Sequence, residues 1–325
     1  MPVANITFPR ALAPALFLLG SLAFGDALPA PEKNNAAKEA VLTFGAGQFK
    51  VPETVIHDAR NDVYLVSNVN GGLSAPDDNG FISRVSPEGK ILDLKWIDGA
   101  SGPEVVLHGP KDMLLTEKHL IVADVGAVRY FDRETGKPVH AVGLADATLP
   151  NALALDGDGE TVYVSDTGGR TKNAPGAIYR INKEYPPKKI AEGLHLDRPN
   201  GIAWQEDGVV VAPFAANARD LYRVKAGGKK ETVATLPEPQ IDGLLLLPDD
   251  SFVATSWKGR TIYRVYPAVY PAQGNGNGNG ENNARVELVA AGVERPAQIG
   301  YDAKRDRLLV PSAMEGRVLV YELAD

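Results

Sequence analysis

The chain consists largely of one strand-rich unit repeated six times, and this repeat limits the possible folds more than any other feature. Each copy opens with a short apolar strand, reverses at a polar turn, and returns as a second strand that ends in a small or polar residue. A variable loop and a third strand follow. The copies begin 58, 40, 49, 42 and 55 residues apart, at Pro52, Pro110, Pro150, Pro199, Ile241 and Pro296. Repeats of roughly this length with four short strands are typical of propeller blades. The sequence therefore predicts an all-β fold, a six-bladed β-propeller with four-stranded antiparallel blades around a central channel.

The turns between the first and second strands support this prediction. Asp156–Gly159 and Asp249-Asp250 stand where the chain must reverse, and such residues supply local hydrogen bonds or a positive φ. From residue 44 onward no segment has the apolar period of a long amphipathic helix. A pair of β-sandwiches is the other all-β possibility, but six copies of one unit favour the propeller.

The N-terminal segment has the layout of a secretory signal peptide. Arg10 precedes an apolar run from Ala11 to Phe24, and small residues follow at Gly25 and Ala27. The run is shorter than the roughly 18 apolar residues of a spanning helix, so cleavage is favoured over a retained anchor. We expect a signal peptide over residues 1–27, a flexible lead-in over 28–43 and a propeller domain over 44–325 with a disordered polar loop at 273–283. The mature protein is then periplasmic or secreted and not associated with a membrane.

Composition excludes several kinds of site. The chain has no cysteine, so disulfides, zinc thiolate sites and cysteine nucleophiles are absent. A formal net charge of −7 disfavours a nucleic-acid surface. Neither the G-x-S-x-G motif of serine hydrolases nor a Walker or dinucleotide-binding glycine motif occurs. A closed propeller is expected to be a monomer.

Polar side chains recur where the inner strand of each blade begins. In the first five copies the second residue is, in order, Glu53, Lys111, Asn151, Asn200 and Asp242. In the sixth copy the polar residue is the third one, Gln298. Asp166 ends a second strand, which returns to the same mouth of the channel. Carboxylate and amide oxygens are ligands that Ca²⁺ prefers. We therefore expect a site for Ca²⁺ or another divalent cation at this mouth.

The order Glu53, Asn151, Asn200, Asp242, in the segments PETVI, PNALALD, PNGIAW and IDGLLLL, resembles the senescence marker protein/gluconolactonase (regucalcin-like) family, and more distantly the paraoxonases. The resemblance implies a six-bladed propeller with one catalytic divalent ion, bound by Glu53, Asn200 and Asp242, with Asn151 contacting metal or substrate. It also implies hydrolysis of a lactone or ester. Lys111 departs from the family pattern.

Several roles follow if the site is catalytic. Asp242 is the candidate general base or nucleophile, and His108 and His195, in loops that enter inner strands, are candidate proton carriers. Asn151, Lys111, Gln298 and Asp166 are candidate substrate contacts, although Lys111 could instead pair with Asp112 or Asp124. The alternative functions are a non-catalytic propeller resembling NHL-repeat proteins, which would bind a partner outside the cytoplasm, and a metal-free enzyme resembling strictosidine synthase.

Overall fold

The fold was analysed in a computed structural model that describes residues 37–169, 174–182, 185–225, 228–268 and 284–323. Across these residues the regular secondary structure is almost entirely β-strand. In chain order the strands are β1 (Leu42–Phe44), β2 (Pro52–Asp58), β3 (Val63–Asn68), β4 (Phe81–Val85), β5 (Ile91–Asp98), β6 (Met113–Leu115), β7 (His119–Asp124), β8 (Ala127–Asp132), β9 (Pro138–Gly143), β10 (Pro150–Leu155), β11 (Val162–Asp166), β12 (Gly176–Asn182), β13 (Tyr185–Gly193), β14 (Pro199–Gln205), β15 (Gly208–Pro213), β16 (Asp220–Val224), β17 (Lys230–Thr235), β18 (Ile241–Leu246), β19 (Phe252–Ser256), β20 (Thr261–Tyr266), β21 (Arg285–Ala291), β22 (Gly300–Asp302), β23 (Arg307–Ser312) and β24 (Arg317–Glu322). Two single 3-10 turns lie at Gly99–Ser101 and Leu194–Leu196.

The strands of the described residues pair into six antiparallel sheets of four, which confirms the predicted six-bladed propeller. Strands β2–β5 form blade 1, β6–β9 blade 2, β10–β13 blade 3, β14–β17 blade 4 and β18–β21 blade 5. Blade 6 joins the two ends of the fold, because β22, β23 and β24 are completed by β1 as the outermost strand. The N-terminal strand thus closes the ring.

This closure places ordered structure inside the segment expected to be a flexible lead-in. Strand β1 begins at Leu42, two residues before the predicted domain boundary, and Leu42 and Phe44 lie opposite Val320 and Val318 of β24. The predicted signal peptide at 1–27 and polar loop at 273–283 lie outside the described residues. No helix within the described part of the chain is long and apolar enough to cross a membrane.

Apolar clusters pack between neighbouring blades. Between blades 1 and 2, for example, Leu65 and Ile82 meet Leu120 and Phe131, all of which are almost fully buried. Comparable clusters occupy the other blade interfaces. Burial of one such side chain contributes about 1.5–3 kcal/mol. The apolar residues of the middle strands therefore hold the blades at fixed angles around the channel.

The inner strands of blades 2 and 6 begin later than the sequence pattern predicts. Strand β6 starts at Met113 and β22 at Gly300, rather than at the prolines that open these copies. In blade 2 the Asp112 carboxylate accepts the N–H groups of Met113 and Leu153, at 2.7 and 2.8 Å. In blade 6 the Gln298 amide binds both the N–H and the carbonyl of Leu244. These two side chains thus connect the inner strand region of one blade to the inner strand of its neighbour.

Candidate functional site

A cavity of about 1030 Å³ lies at the mouth where the inner strands begin. Its wall includes five of the predicted side chains, one from each of blades 1 to 5: Glu53, Lys111, Asn151, Asn200 and Asp242. The sequence pattern therefore brings together residues up to 189 positions apart, from 53 to 242.

A β-bulge explains why the second residue of an inner strand faces this cavity. In blades 1, 3, 4 and 5 the regular pairing of the inner strand stops after its first residue and resumes three residues later. A bulge bends a strand and redirects its side chains. Glu53, Asn151, Asn200 and Asp242 each stand directly after the first paired residue, so the same local distortion places all four at the mouth.

Hydroxyl groups from alternate blades hold these bulges in place. The Ser67 hydroxyl accepts the Thr54 N–H at 2.9 Å and donates to the Lys111 carbonyl at 2.9 Å. Ser165 and Thr255 do the same in blades 3 and 5, where their acceptors are the carbonyls of Asn200 and Ala297. Each hydroxyl ties one blade to the next at the level of the site.

Lys111 and Glu53 form a buried ion pair in the cavity wall. The Lys111 Nζ lies 3.2 Å from Glu53 Oε1, and the side chains are only 3% and 8% exposed. Of the alternatives left open for Lys111, a pairing with Asp112 or Asp124 is not formed. Asp112 is occupied by backbone N–H groups, and Asp124 accepts the N–H groups of His108 and Gly109 and pairs with Arg129. The ammonium group therefore stands among the oxygen atoms of the predicted metal site.

Asp242 is the other buried carboxylate of the wall. It is 3% exposed, and no residue that the structure describes donates a hydrogen bond to it or forms an ion pair with it. Burial raises the pKa of the Asp242 carboxyl well above its usual range, and the nearby Glu53 carboxylate raises this pKa further. The Lys111 ammonium acts in the opposite direction. A second cation at this place would favour the ionised carboxylate.

The two asparagines differ in how they are held. Asn151 donates from its amide nitrogen to the Thr167 hydroxyl at 3.1 Å, and Thr167 donates to the Pro199 carbonyl. The side chain of Asn200 is buried and, within the described residues, makes no hydrogen bond. Both amides therefore keep a carbonyl oxygen available in the cavity wall.

Four predicted side chains do not belong to the cavity wall described here. Gln298 faces the backbone of Leu244, and the Asp166 carboxylate accepts the N–H groups of Thr148, Leu149 and Gly168. The His108 ring contacts Asp78, with Nδ1 3.0 Å from a carboxylate oxygen. His195 is exposed in the 3-10 turn before β14. The structure thus gives Gln298 and Asp166 contacts that hold the backbone, and it separates both histidines from the polar ring.

The structure adds cavity residues that the sequence reasoning missed. Three are cations and two are aromatic: Arg198, Lys258, Arg295, Phe214 and Trp257. All five lie next to the repeated motifs, because Arg198 and Arg295 directly precede the proline that opens a copy and the other three follow a second strand within two residues. The same register that located Glu53 and Asp242 could have located them, had the two residues on each side been considered.

Below this ring the channel is apolar. A second cavity, of about 660 Å³, is lined mainly by inner-strand side chains such as Met113, Leu153, Ile202, Leu244 and Ile299. Within the described residues, no three histidine, aspartate or glutamate side chains form a group suited to a metal ion. A metal site at the mouth therefore depends on the asparagine amides as well as on the two carboxylates.

Comparison with known proteins supports the fold. No family model and no curated protein sequence matches the chain. Similar solved structures include a gluconolactonase from Xanthomonas campestris, with 14% identity, a TM-score of 0.58 and coverage of 85% of this chain and 87% of that one. A second protein assigned as a gluconolactonase has 16% identity, a TM-score of 0.59 and coverage of 90% and 96%. Virginiamycin B lyase from Staphylococcus aureus has 12% identity, a TM-score of 0.53 and coverage of 87% and 99%. The structural neighbours of this chain thus include six-bladed gluconolactonase propellers, and at these identities the likeness concerns the fold.

Proposed function

We propose that the chain is a metal-dependent hydrolase of the lactonase or esterase type, with its active site at the channel mouth. The observation that carries the proposal is Asp242, a buried carboxylate without a hydrogen-bond donor or ion-pair partner among the described residues. Burial of an uncompensated ionised carboxylate costs several kcal/mol. A divalent cation bound there would remove that cost, so the site is better suited to the metal-bound state than to the metal-free one.

The donor set fits Ca²⁺ in its chemistry. Glu53 and Asp242 would supply negative charge, and Asn151 and Asn200 would supply neutral carbonyl oxygens. Lys111 opposes binding, because its ammonium already pairs with Glu53. Metal binding therefore requires the Lys111–Glu53 contact to loosen, and we expect a weaker affinity than the two carboxylates alone would give.

The side chains of the wall suggest how hydrolysis would proceed. A bound divalent cation would polarise the carbonyl of a lactone or ester. Asp242, kept ionised by the bound cation, would accept a proton from the attacking water. Lys111, once released from Glu53, would place its ammonium near the developing oxyanion. The Asn151 amide, fixed through Thr167, would orient the substrate.

Location and assembly belong to the proposal as well. The basic residue and apolar run of the first 27 residues support export to the periplasm or the exterior. N-terminal sequencing of the mature protein and its mass by light scattering test export and the monomeric state. An intact N-terminus in the extracytoplasmic fraction contradicts the signal peptide.

One observation favours a second function, a non-catalytic binding module. The Lys111–Glu53 pair neutralises one of the two carboxylates without any metal. A site balanced in this way could bind a neutral or anionic ligand and perform no reaction. Propellers of this kind are common binding platforms, and the fold alone does not decide between the two functions.

Calorimetric titration of the chelator-treated protein with Ca²⁺, Mg²⁺ and Mn²⁺, paired with a hydrolysis screen of lactones and aryl esters, distinguishes them. We expect one divalent ion to bind in a 1:1 ratio and to activate hydrolysis. Asp242→Asn and Glu53→Gln should abolish both effects. Asp250→Asn is the matched control, because Asp250 lines the second cavity beyond the ring. Absence of binding by every ion contradicts the metal site, and binding without hydrolysis of any substrate supports the second function.

A further inference from the structure

The cavity wall carries an excess of positive charge in a chain that is acidic overall. Among the described wall residues there are four cations and two carboxylates. The whole chain has a net charge of −7. Lys111 is paired with Glu53, and the other three cations of the wall are Arg198, Lys258 and Arg295.

These cations lie together on the side of the cavity formed by blades 4, 5 and 6, around a pair of aromatic rings. Phe214 and Trp257 pack edge to face with their centroids 5.1 Å apart. The guanidinium of Arg198 lies 5.9 Å from the Phe214 ring, and that of Arg295 lies 5.2 Å from the Trp257 ring. A guanidinium that lies over an aromatic ring can direct N–H donors away from the ring, where they can bind an anion.

No acidic side chain of the described residues neutralises Lys258 or Arg295 through an ion pair. The Arg295 guanidinium donates instead to the thioether sulfur of Met314, at 3.1 Å, which is a weak acceptor. Both residues are exposed to the solvent of the cavity. Two cations beside a stacked arginine and an indole ring form a surface suited to an anionic group attached to a ring or an apolar body.

We infer that the cavity binds a substrate that carries a carboxylate or phosphate group, held by Arg198, Lys258 and Arg295, with its adjoining ring against Trp257. The inference deepens the proposed function by naming the substrate class, and it rests on that function for the reaction but not for binding. The anionic group would anchor the substrate at the side of the cavity. The hydrolysable bond would then face Asp242 and Lys111 at its floor.

The backbone conformation at Arg198 and Arg295 allows each side chain to be removed by substitution with glycine. Arg198 and Arg295 have left-handed φ angles of 60° and 47°, a region that glycine adopts without strain. Their carbonyls accept the N–H groups of Phe214 and Ala313. Glycine at either place keeps this backbone hydrogen bond, so deletion of the side chain introduces no backbone strain. Val51 precedes β2 in the same way, with a φ of 52°, and lies outside the cavity.

The test is calorimetric binding of three ring compounds without a lactone or carboxylic ester bond: glucose, glucuronate and glucose 6-phosphate. We expect at least one of the two anions to bind roughly tenfold or more tightly than glucose. Arg198→Gly and Arg295→Gly should each weaken that anion roughly tenfold, with no fall in Tm, and Val51→Gly should leave binding unchanged. Comparison of glucuronate with the phosphate ester identifies the anionic group. Equal binding of all three compounds, absence of binding by both anions, or unchanged anion binding by both arginine variants overturns the inference. Because these probes do not react, failure of the hydrolysis or metal experiments leaves this result intact.

Discussion

Removal of the Lys111 ammonium should show how much the Lys111–Glu53 ion pair contributes to the stability of the protein. The change is Lys111→Met, which keeps most of the buried aliphatic stem and deletes the charge. Glu53 then loses its partner at 3.2 Å while it stays buried. We expect this variant to be markedly less stable than the parent in the absence of divalent ions.

The magnitude follows from the geometry of the pair. Two unit charges 3.2 Å apart attract by about 5 kcal/mol at an effective dielectric constant of 20. Breaking a buried pair by removing one partner costs about 3–5 kcal/mol in measured cases. The expected loss is therefore about 3–5 kcal/mol, or roughly 10 °C in Tm for a domain of this size.

The assay is a double-mutant cycle in urea at pH 8 with a chelator present. It uses Lys111→Met, Glu53→Gln and the double variant. The double variant leaves neither member of the pair as an unpaired charge, and it should be more stable than the sum of the two single effects predicts. We expect a coupling energy of about 3 kcal/mol. Lys118→Met, at an exposed position in the turn of the same blade, is the control and should cost less than about 0.5 kcal/mol.

Saturating Ca²⁺ should restore much of the stability that Lys111→Met loses, because the divalent ion then compensates Glu53 and Asp242. A coupling energy near zero, or a single variant as stable as the parent, refutes the reasoning about the ion pair. A measurable coupling energy without any effect of Ca²⁺ retains the ion pair and contradicts the metal site.

Three further predictions concern stability. Burial raises the pKa of Asp112 to about 7, so the folded protein holds this proton more tightly than the unfolded chain does. The resulting contribution to the free energy of unfolding is fully present below about pH 4 and is lost as the pH rises through 7. The loss is on the order of 4 kcal/mol between pH 4 and pH 8 in urea titrations, and Asp112→Asn should flatten that dependence. Gly300→Ala should cost about 3 kcal/mol, because a Cβ there would lie 2.1 Å from a backbone oxygen of β2, whereas Gly143→Ala meets nothing within 4 Å and should be neutral. Ser165→Ala leaves a buried N–H and the Asn200 carbonyl without their partner, and should cost about 2–4 kcal/mol in the same measurement.

For each of these three stability predictions, one result would contradict it. Stability that is constant between pH 5 and pH 8, or that rises, contradicts the raised pKa of Asp112. Equal effects of alanine at positions 300 and 143 contradict the close approach of the first and last inner strands. A neutral Ser165→Ala would show that the hydroxyl contacts between blades contribute little.

The repeat made the fold predictable, because the inner strands and their turns have strong local patterns. The β1 strand was less accessible, since Leu42–Phe44 is only three residues long and pairs with β24 at the far end of the sequence. A count of strands would have found it. The sixth copy has only three strands after Pro296, and a four-stranded blade must take its last strand from elsewhere.

The site was predictable to the extent that it depends on strand register. Glu53, Asn151, Asn200 and Asp242 share one place in the repeat, and the structure brings them together. The contacts of individual side chains do not follow from register. Gln298 and Asp166 occupy plausible places in the pattern, yet their polar atoms satisfy buried backbone groups. Such a preference depends on which N–H groups the neighbouring blade leaves unpaired.

The charge of the cavity was the least visible feature in the sequence. Arg198 and Arg295 stand before prolines in loops, and nothing local distinguishes them from ordinary surface arginines. Only the closure of the ring brings them into one wall with Lys258, beside Phe214 and Trp257. The repeat register places these residues beside the inner strands, but their grouping into one charged wall from three blades is apparent only in the structure.

The central claim is that one divalent cation binds at the channel mouth between Glu53, Asn151, Asn200 and Asp242. Anomalous diffraction from crystals grown with Mn²⁺ or Ca²⁺ tests it most directly. The account predicts a single strong peak within bonding distance of oxygen atoms from Glu53 and Asp242, with the Lys111 ammonium turned away from Glu53. Crystals that show no peak in this cavity at saturating metal, with Lys111 still paired to Glu53, would contradict it.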